Sequence, residues 1–198
     1  IEYRFKVASD LWQIDADPGQ LRRVIENLLR NSEEAMVEGG RLTVRFENAP
    51  SGSVLRENLP ASMELEDGAD YVVLQVKDNG HGIDGDLIDK IFEPYFSTRG
   101  DANATGIGLT VCDSIVRAHN GGIFCQSIKG EGTKVVVAFP APADRRPDTS
   151  LPGTRSAGNT GRFTRPRILV LEDEPLIRQL LVANLEQEGF EVVETEDG

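Results

Sequence analysis

Asn27 and Asn31 stand four residues apart in a helix-patterned stretch, so both carboxamides leave the same face about one turn apart. Carboxamide oxygens are hard ligands suited to Mg2+, an ion that keeps several waters and is shared with substrate phosphates. A second group, Asp78-Asn79-Gly80-His81-Gly82-Ile83, directly follows a β-rich stretch. A carboxylate at a strand end accepts a hydrogen bond from an exocyclic amine, and nearby glycines let the backbone approach a flat base. The same residues also make an ordinary Asp-Gly turn. A third group, Thr105-Gly106-Ile107-Gly108-Leu109, opens a second helix, where exposed amides and partial positive charge give phosphates a seat. It lacks the Gly-Lys-Ser/Thr of a Walker loop and the glycine spacing of a dinucleotide fingerprint. Between the second and third groups lie Phe92-Glu93-Pro94-Tyr95-Phe96-Ser97-Thr98-Arg99 and a Gly, Ala and Asn-rich stretch. That composition suits a mobile lid anchored by Phe92 and Phe96, with Arg99 as a phosphate contact.

The elements that must position these groups follow from hydrophobic period. Leu21, Val24, Ile25, Leu28, Leu29, Ala35 and Met36 recur at three- and four-residue steps, predicting a helix from Asp17 to about Val37. Asp17 with Gln20 resembles a capping box, Pro18 suits the first helical position, and Gly39-Gly40 is a stop. Strands are expected at Leu42 to Phe46 and Tyr71 to Val76, separated by the acidic segment Ala49 to Asp70, which reads as a long surface loop with a short strand at Ser53 to Arg56. A short helix over Asp86 to Phe92 has Asp84 as its cap and Pro94 as its stop. The second long helix runs from Gly108 to His119, and strands at Gly122 to Ile128 and Thr133 to Phe139 flank a Gly130-Glu131-Gly132 turn.

Pro140 to Pro166 is rich in Pro, Gly, Ser, Thr and Arg without apolar periodicity, the composition of a linker. Beyond it, an apolar run at Arg167 to Leu171, an amphipathic helix from Pro175 to about Glu188, and a strand from Phe190 to Thr195 give the order β, α, β of a parallel α/β domain. At 198 residues the chain has room for one ordinary domain plus a fragment. The apolar fraction of 39% can build a core, while the net charge of -12 disfavours wrapping nucleic acid or an anionic membrane. Cys112 and Cys125 lack the close-spaced Cys or His company of a zinc site or disulfide framework, so a reducing cytoplasm is expected. No apolar run approaches the roughly 20 residues that cross a bilayer. The opening Ile1 and closing Gly198 read as the ends of an excised, soluble piece, whose intact protein is free to be membrane-associated.

Asn-x-x-x-Asn, Asp-x-Gly-x-Gly-Ile, Phe-Glu-Pro-x-Phe, Gly-x-Gly-Leu and Gly-x-Gly-Thr, in this order, resemble the N, G1, F, G2 and G3 boxes of sensor histidine kinases, over roughly residues 10 to 140. The resemblance implies the Bergerat fold of the GHKL ATPase superfamily. This is an α/β (α+β) two-layer sandwich with a mixed sheet and helices on one face, binding ATP between the helices and a lid. It further implies that Asn31 ligates Mg2+, Asn27 supports the phosphates or metal, and Asp78 binds the adenine amino group. Gly80, Gly82 and Ile83 would border the base, and Thr105, Gly106, Gly108 and Leu109 the phosphates. Phe92, Phe96 and Arg99 would serve the lid, and Thr133 would back the adenine site. Gyrase-, Hsp90- and MutL-type relatives activate water with a glutamate one turn before the metal Asn. Asn27 stands there, and an amide is no general base, so phosphoryl transfer is favoured over hydrolysis. Glu34 replaces the basic residue many histidine kinases carry.

No catalytic phosphoacceptor is evident: His81 and His119 are expected to be structural, so the fragment should not autophosphorylate. The implied partners are a His-containing dimerisation domain of the same kinase, with the full-length protein a homodimer, and a response regulator or receiver, with no nucleic acid. The tail resembles the start of a flavodoxin-like receiver, Glu172 and Asp173 falling at its acidic Mg-binding pair. The implied division is 1–140 catalytic and ATP-binding, 141–166 linker, and 167–198 receiver fragment. Its strands, cut off from the rest of a sheet, are expected to lack neighbours and so to be disordered, docked onto a neighbour's sheet edge or swapped. A GHKL-type ATPase and an inactive nucleotide-binding module are the alternatives.

Overall fold

A computed structural model describes residues 1–96, 106–142, 167–171, 182 and 191–195. The chain divides into two compact units, Ile1–Thr149 and Ser150–Gly198. In the first, the elements are β1 (Glu2–Val7), α1 (Pro18–Ala35), β2 (Arg41–Ala49), α2 (Val54–Glu57), a 3-10 turn (Ala61–Met63), β3 (Tyr71–Asp78), a 3-10 helix (Gly85–Lys90), α3 (Gly108–Ala118), β4 (Gly122–Ile128) and β5 (Gly132–Pro140). The strands form one mixed sheet in the order β1-β2-β3-β5-β4, with β1 parallel to β2 and the remaining pairs antiparallel.

Helix α1 starts where its local signals place it. The Asp17 carboxylate accepts the Gln20 amide at 2.7 Å, and Pro18 fills the first turn, where its missing N–H costs nothing. It stops at Ala35, short of the expected Val37, because the Ala35 carbonyl is taken by the His81 amide at 3.1 Å rather than by a further helical turn. Val37 is left 87% exposed. The inner face of the sheet buries Leu42, Val44, Leu74, Val76, Val135 and Val137 against Val24 and Leu28 of α1 and Cys112 and Val116 of α3. Each fully buried Val or Leu contributes about 1.5–3 kcal/mol relative to exposure.

The segment Ala49 to Asp70 departs from its reading as a surface loop. Ser53 to Arg56 is no strand; Val54–Glu57 is a helical turn capped by the Ser53 hydroxyl, which accepts the Arg56 amide at 3.2 Å. Met63, 1% exposed, packs with Leu55, Leu59 and Leu65 onto the outer-facing Ala49, Tyr71, Val73, Val136 and Ala138. The Arg56 guanidinium lies 5.3 Å over the Tyr71 ring, and the Tyr71 hydroxyl accepts the Glu66 amide at 2.9 Å. The reason is in the strands: β3 and β5 are apolar on both sides at this end, so long helices on one face leave a second face to cover. The helices-on-one-face expectation therefore holds for α1 and α3 only.

The expected helix over Asp86 to Phe92 is a 3-10 helix, and Asp84 makes no side-chain cap because its carboxylate meets the Lys129 ammonium at 3.1 Å. That ammonium, first by its hydrogen bond and then by its charge, holds the Asp84 carboxyl below its ordinary range. In the second unit, β6 (Arg167–Leu171) and β7 (Glu191–Thr195) pair with each other in parallel, Arg167 opposite Glu191, so neither is the unpaired strand expected. Residue 182 is helical. The rest of the expected Pro175 to Glu188 helix, and the linker from residue 143 to 166, lie outside the described residues.

Candidate functional site

The two asparagines and the second glycine group converge. Gly108 is the first residue of α3, and a Cβ built there would lie 3.5 Å from Asn27 Oδ1 and 3.9 Å from Asn31 Nδ2. Ile107, at the N-cap of α3, provides no side-chain cap bond, so first-turn amides face out beside the carboxamides. Asn27 Oδ1 also accepts from the Arg30 guanidinium at 3.1 Å. One residue that sequence reasoning missed lies in the same turn: the Thr110 hydroxyl is buried without a hydrogen-bond partner among the described residues.

Asp78 ends β3 and is only 3% exposed. Its Oδ1 accepts two amides, from Gly80 at 2.9 Å and from Thr133 at 3.1 Å, which fixes the carboxyl plane. Behind it stands Ser127, also missed. Its Oγ accepts the Ile83 amide at 2.7 Å, donates to the Gly132 carbonyl at 2.9 Å and contacts Thr133 Oγ1 at 2.9 Å. A hydroxyl has a single proton, so with Ser127 donating to Gly132 the Thr133 hydroxyl must be the donor toward Ser127. Thr133 thereby keeps its lone pairs for whatever lies beside Asp78. A lone serine within a strand carries no local signal that would have revealed this role.

The glycines owe their identity to the protein itself. A Cβ on Gly80 would lie 2.5 Å from the Ala35 carbonyl oxygen. Gly82 has φ +65 and would place a Cβ 2.1 Å from the Ile128 carbonyl oxygen. Gly106, with φ +63, would strike the backbone of Tyr95 and Phe96. Close approach of chain to chain, as well as any approach of ligand to chain, excludes side chains here. Ile83, Phe92, Phe96 and Leu109 pack against the main core. Arg99, Thr105, Glu172 and Asp173 lie outside the described residues.

Both histidines have structural partners. His119 donates from Nδ1 to the Ile115 carbonyl at 2.8 Å, accepts the Asp17 amide at Nε2 at 3.2 Å, and meets the edge of Phe139. His81 Nδ1 donates to the Gly82 carbonyl at 2.6 Å. Burial pushes the Cys112 and Cys125 thiols up to about 12, far from a nucleophilic thiolate at neutral pH.

Comparisons with known proteins show which proteins this sequence and fold resemble. Residues 16–143 match the family described as histidine kinase-, DNA gyrase B-, and HSP90-like ATPase. The sensor kinase CckA of Brucella abortus (strain 2308) is 33% identical over 202 residues, covering all of this chain but 21% of that kinase. The sensor histidine kinase ZraS of Salmonella typhi is 34% identical over 140 residues, 71% of this chain and 26% of that protein. The chain thus spans about a quarter or less of the length of these curated relatives. A nucleotide-free catalytic domain of the histidine kinase ThkA aligns with TM-score 0.53 and 25% identity over 71% of this chain and 79% of that one. Full-length ShkA in complex with AMPPNP aligns with TM-score 0.53 over 99% of this chain and 35% of that one, and at 19% identity shows the fold alone. With the sheet order, the convergence of Asn27, Asn31 and Gly108, and a family match over most of its length, the chain belongs to the histidine kinase-, DNA gyrase B- and HSP90-like ATPases, as a domain homologous to the ATP-binding catalytic domains of sensor histidine kinases.

Proposed function

We propose that residues 1–140 bind ATP with Mg2+ and transfer its γ-phosphoryl to a histidine on a separate dimerisation domain of the same two-component sensor kinase. The observation that carries this reading is the approach of Asn27 and Asn31 to Gly108 at the start of α3, which has no side-chain cap, together with the buried Asp78 carboxylate at the end of β3, a strand that packs against α1. Asp78 and Thr133 would accept from the adenine amino group, with Gly80, Gly82 and Ile83 shaping the wall beside the base. Backbone amides at Gly106, Gly108 and Leu109 would hold phosphate oxygens, helped by the dipole of α3. The donor set fits magnesium: Asn31 offers one hard oxygen ligand next to a phosphate seat, and the ion needs its remaining ligands from phosphates and water. Bound there, Mg2+ would neutralise charge on the transferring group. Asn27 in place of a water-activating carboxylate supports transfer over hydrolysis. Arg99 and Thr105 would complete the lid and phosphate contacts.

The same reading makes the protein a cytoplasmic module of a homodimeric kinase, relaying to a response regulator or receiver. The division into 1–140, a linker at 141–166 and a flavodoxin-like receiver fragment at 167–198, with Glu172 and Asp173 as its acidic pair, belongs to this proposal. The parallel β6 and β7 support it. The test is to incubate the chain with Mg-ATP and a supplied acceptor-histidine domain and to look for an acid-labile, base-stable phosphoryl group. Its appearance is expected on the acceptor and not on the chain alone. Rapid steady-state release of phosphate without transfer would instead point to an ATPase, and tight nucleotide binding without either reaction to an inactive binding module.

A further inference from the structure

The outer face of the sheet has two unlike halves. At one end Ala49, Tyr71, Val73, Val136 and Ala138 are covered by the segment from residue 50 to 70. At the other end strand alternation turns Arg4, Lys6, Arg41, Arg45, Lys77 and Lys134 outward, because their neighbours Leu42, Val44, Val76 and Val135 fill the inner core. The register aligns them across four strands: Arg4 faces Thr43, Thr43 faces Lys77, and Lys77 faces Lys134. Two carboxylates share this area, and both are engaged. Glu2 meets Arg4 at 2.7 Å and Arg41 at 3.1 Å, while Glu47 meets Arg45 at 3.6 Å. Lys6, Lys77 and Lys134 have no ion pair or hydrogen bond among the described residues.

Like charges directly opposite on a sheet are destabilising, so the Lys77–Lys134 pair opposes the fold that carries it. It does so in a chain of net charge -12, where acidic side chains to neutralise it are plentiful. We propose that this surface docks a short acidic segment of a partner polypeptide, whose carboxylates supply the missing counter-charges. Strands lie about 4.8 Å apart, so the row from β1 to β5 spans about 15 Å, the reach of four or five extended residues. A long polyanion or a bilayer would also meet the acidic remainder of the chain, whereas a short segment stays within a Debye length of about 8 Å of the patch. Lysine and arginine donors suit carboxylates at this range.

The test uses the full chain and a fluorescently labelled, short Glu/Gly peptide, followed by anisotropy at low salt. Saturable binding is expected, weakened about tenfold or more by the double change Lys77→Gln with Lys134→Gln and by added salt. The double change Arg22→Gln with Lys90→Gln removes equal charge elsewhere and should weaken binding less than about twofold. Thermal melts separate docking from folding: Lys77→Gln should keep or raise Tm, since it relieves a repulsion. Equal weakening by the two double variants overturns the proposal. So does tighter binding of a single-stranded oligonucleotide or a phosphatidylserine vesicle, or no saturable peptide binding by a chain with a native melt.

Discussion

At the base end of the candidate site, Asp78, Ser127, Thr133 and the glycines are held by backbone bonds and by contacts too close for a Cβ. At the phosphate end, a Cβ added to Gly108 would meet Asn27 and Asn31 only at ordinary van der Waals range, and α3, which Gly108 opens, has no side-chain cap. The difference teaches that shape is built into the fold where the base would lie and is left to side chains where the phosphates would lie. Changes at the first end should therefore damage folding and affinity together, and changes at the second should separate them.

The hardest test of that contrast is Gly82→Ala. It combines φ +65 with an approach of 2.1 Å to the Ile128 carbonyl oxygen, so a loss of about 3 kcal/mol or more in urea unfolding is expected. A Gly108→Ala change, with nothing nearer than 3.5 Å, should by comparison leave stability nearly unchanged. Asp78→Asn comes next. Its remaining carbonyl can still accept the Gly80 and Thr133 amides, so stability should fall by about 1 kcal/mol while calorimetric affinity for an ATP analogue falls about tenfold or more. Equal affinities would remove Asp78 from the base site. Asn31→Ala, half-buried on α1, should change stability by about 0.5 kcal/mol or less yet erase the Mg2+-dependent part of the affinity, about tenfold. A large drop in Tm would show that the phosphate end is as tightly built as the base end.

A test by pH rather than by substitution uses one thiol under each end, Cys112 bonded to the Val24 carbonyl at 3.7 Å and Cys125 beside Asp78. Burial raises both from 9.0 to about 12, so the unfolded chain ionises first as pH rises. The stability they provide is complete below pH 9 and is lost between about pH 9 and 12. Urea unfolding at pH 8 and pH 10.5 should show this fall, reduced in Cys112→Ala. Labelling by a thiol reagent should reach Cys112 before Cys125 if the phosphate end opens more readily.

The long elements were legible because their apolar residues keep one period: α1, α3 and the four antiparallel-paired strands lie close to where alternation and caps put them. The cover over the outer face was not: Leu55, Leu59 and Met63 fall every fourth residue, but Pro60 interrupts the run and the segment around them is acidic, so only the two-sided apolarity of Tyr71 to Val76 hinted that something must lie there. Asp78, Asn27, Asn31 and Gly108 could be singled out as chemistry-bearing types. Ser127 and Thr110 could not, because their importance comes from partners far away in sequence or from a lack of one. The glycines were noticed for a ligand's sake, while backbone neighbours from Ala35, Ile128 and Tyr95 explain them in the folded chain.

The bond from the His81 amide to the Ala35 carbonyl makes the end of α1 and the start of the Asp78 loop a single splice. From that joint, Asn31 lies one turn back along the helix and Asp78 three residues back along the chain. The pair behaves as a gauge block with two marks at a set separation. Inserting or deleting one residue in α1 after Asn31 would rotate one mark by about 100° against the other, so that segment should tolerate substitutions far better than changes in length.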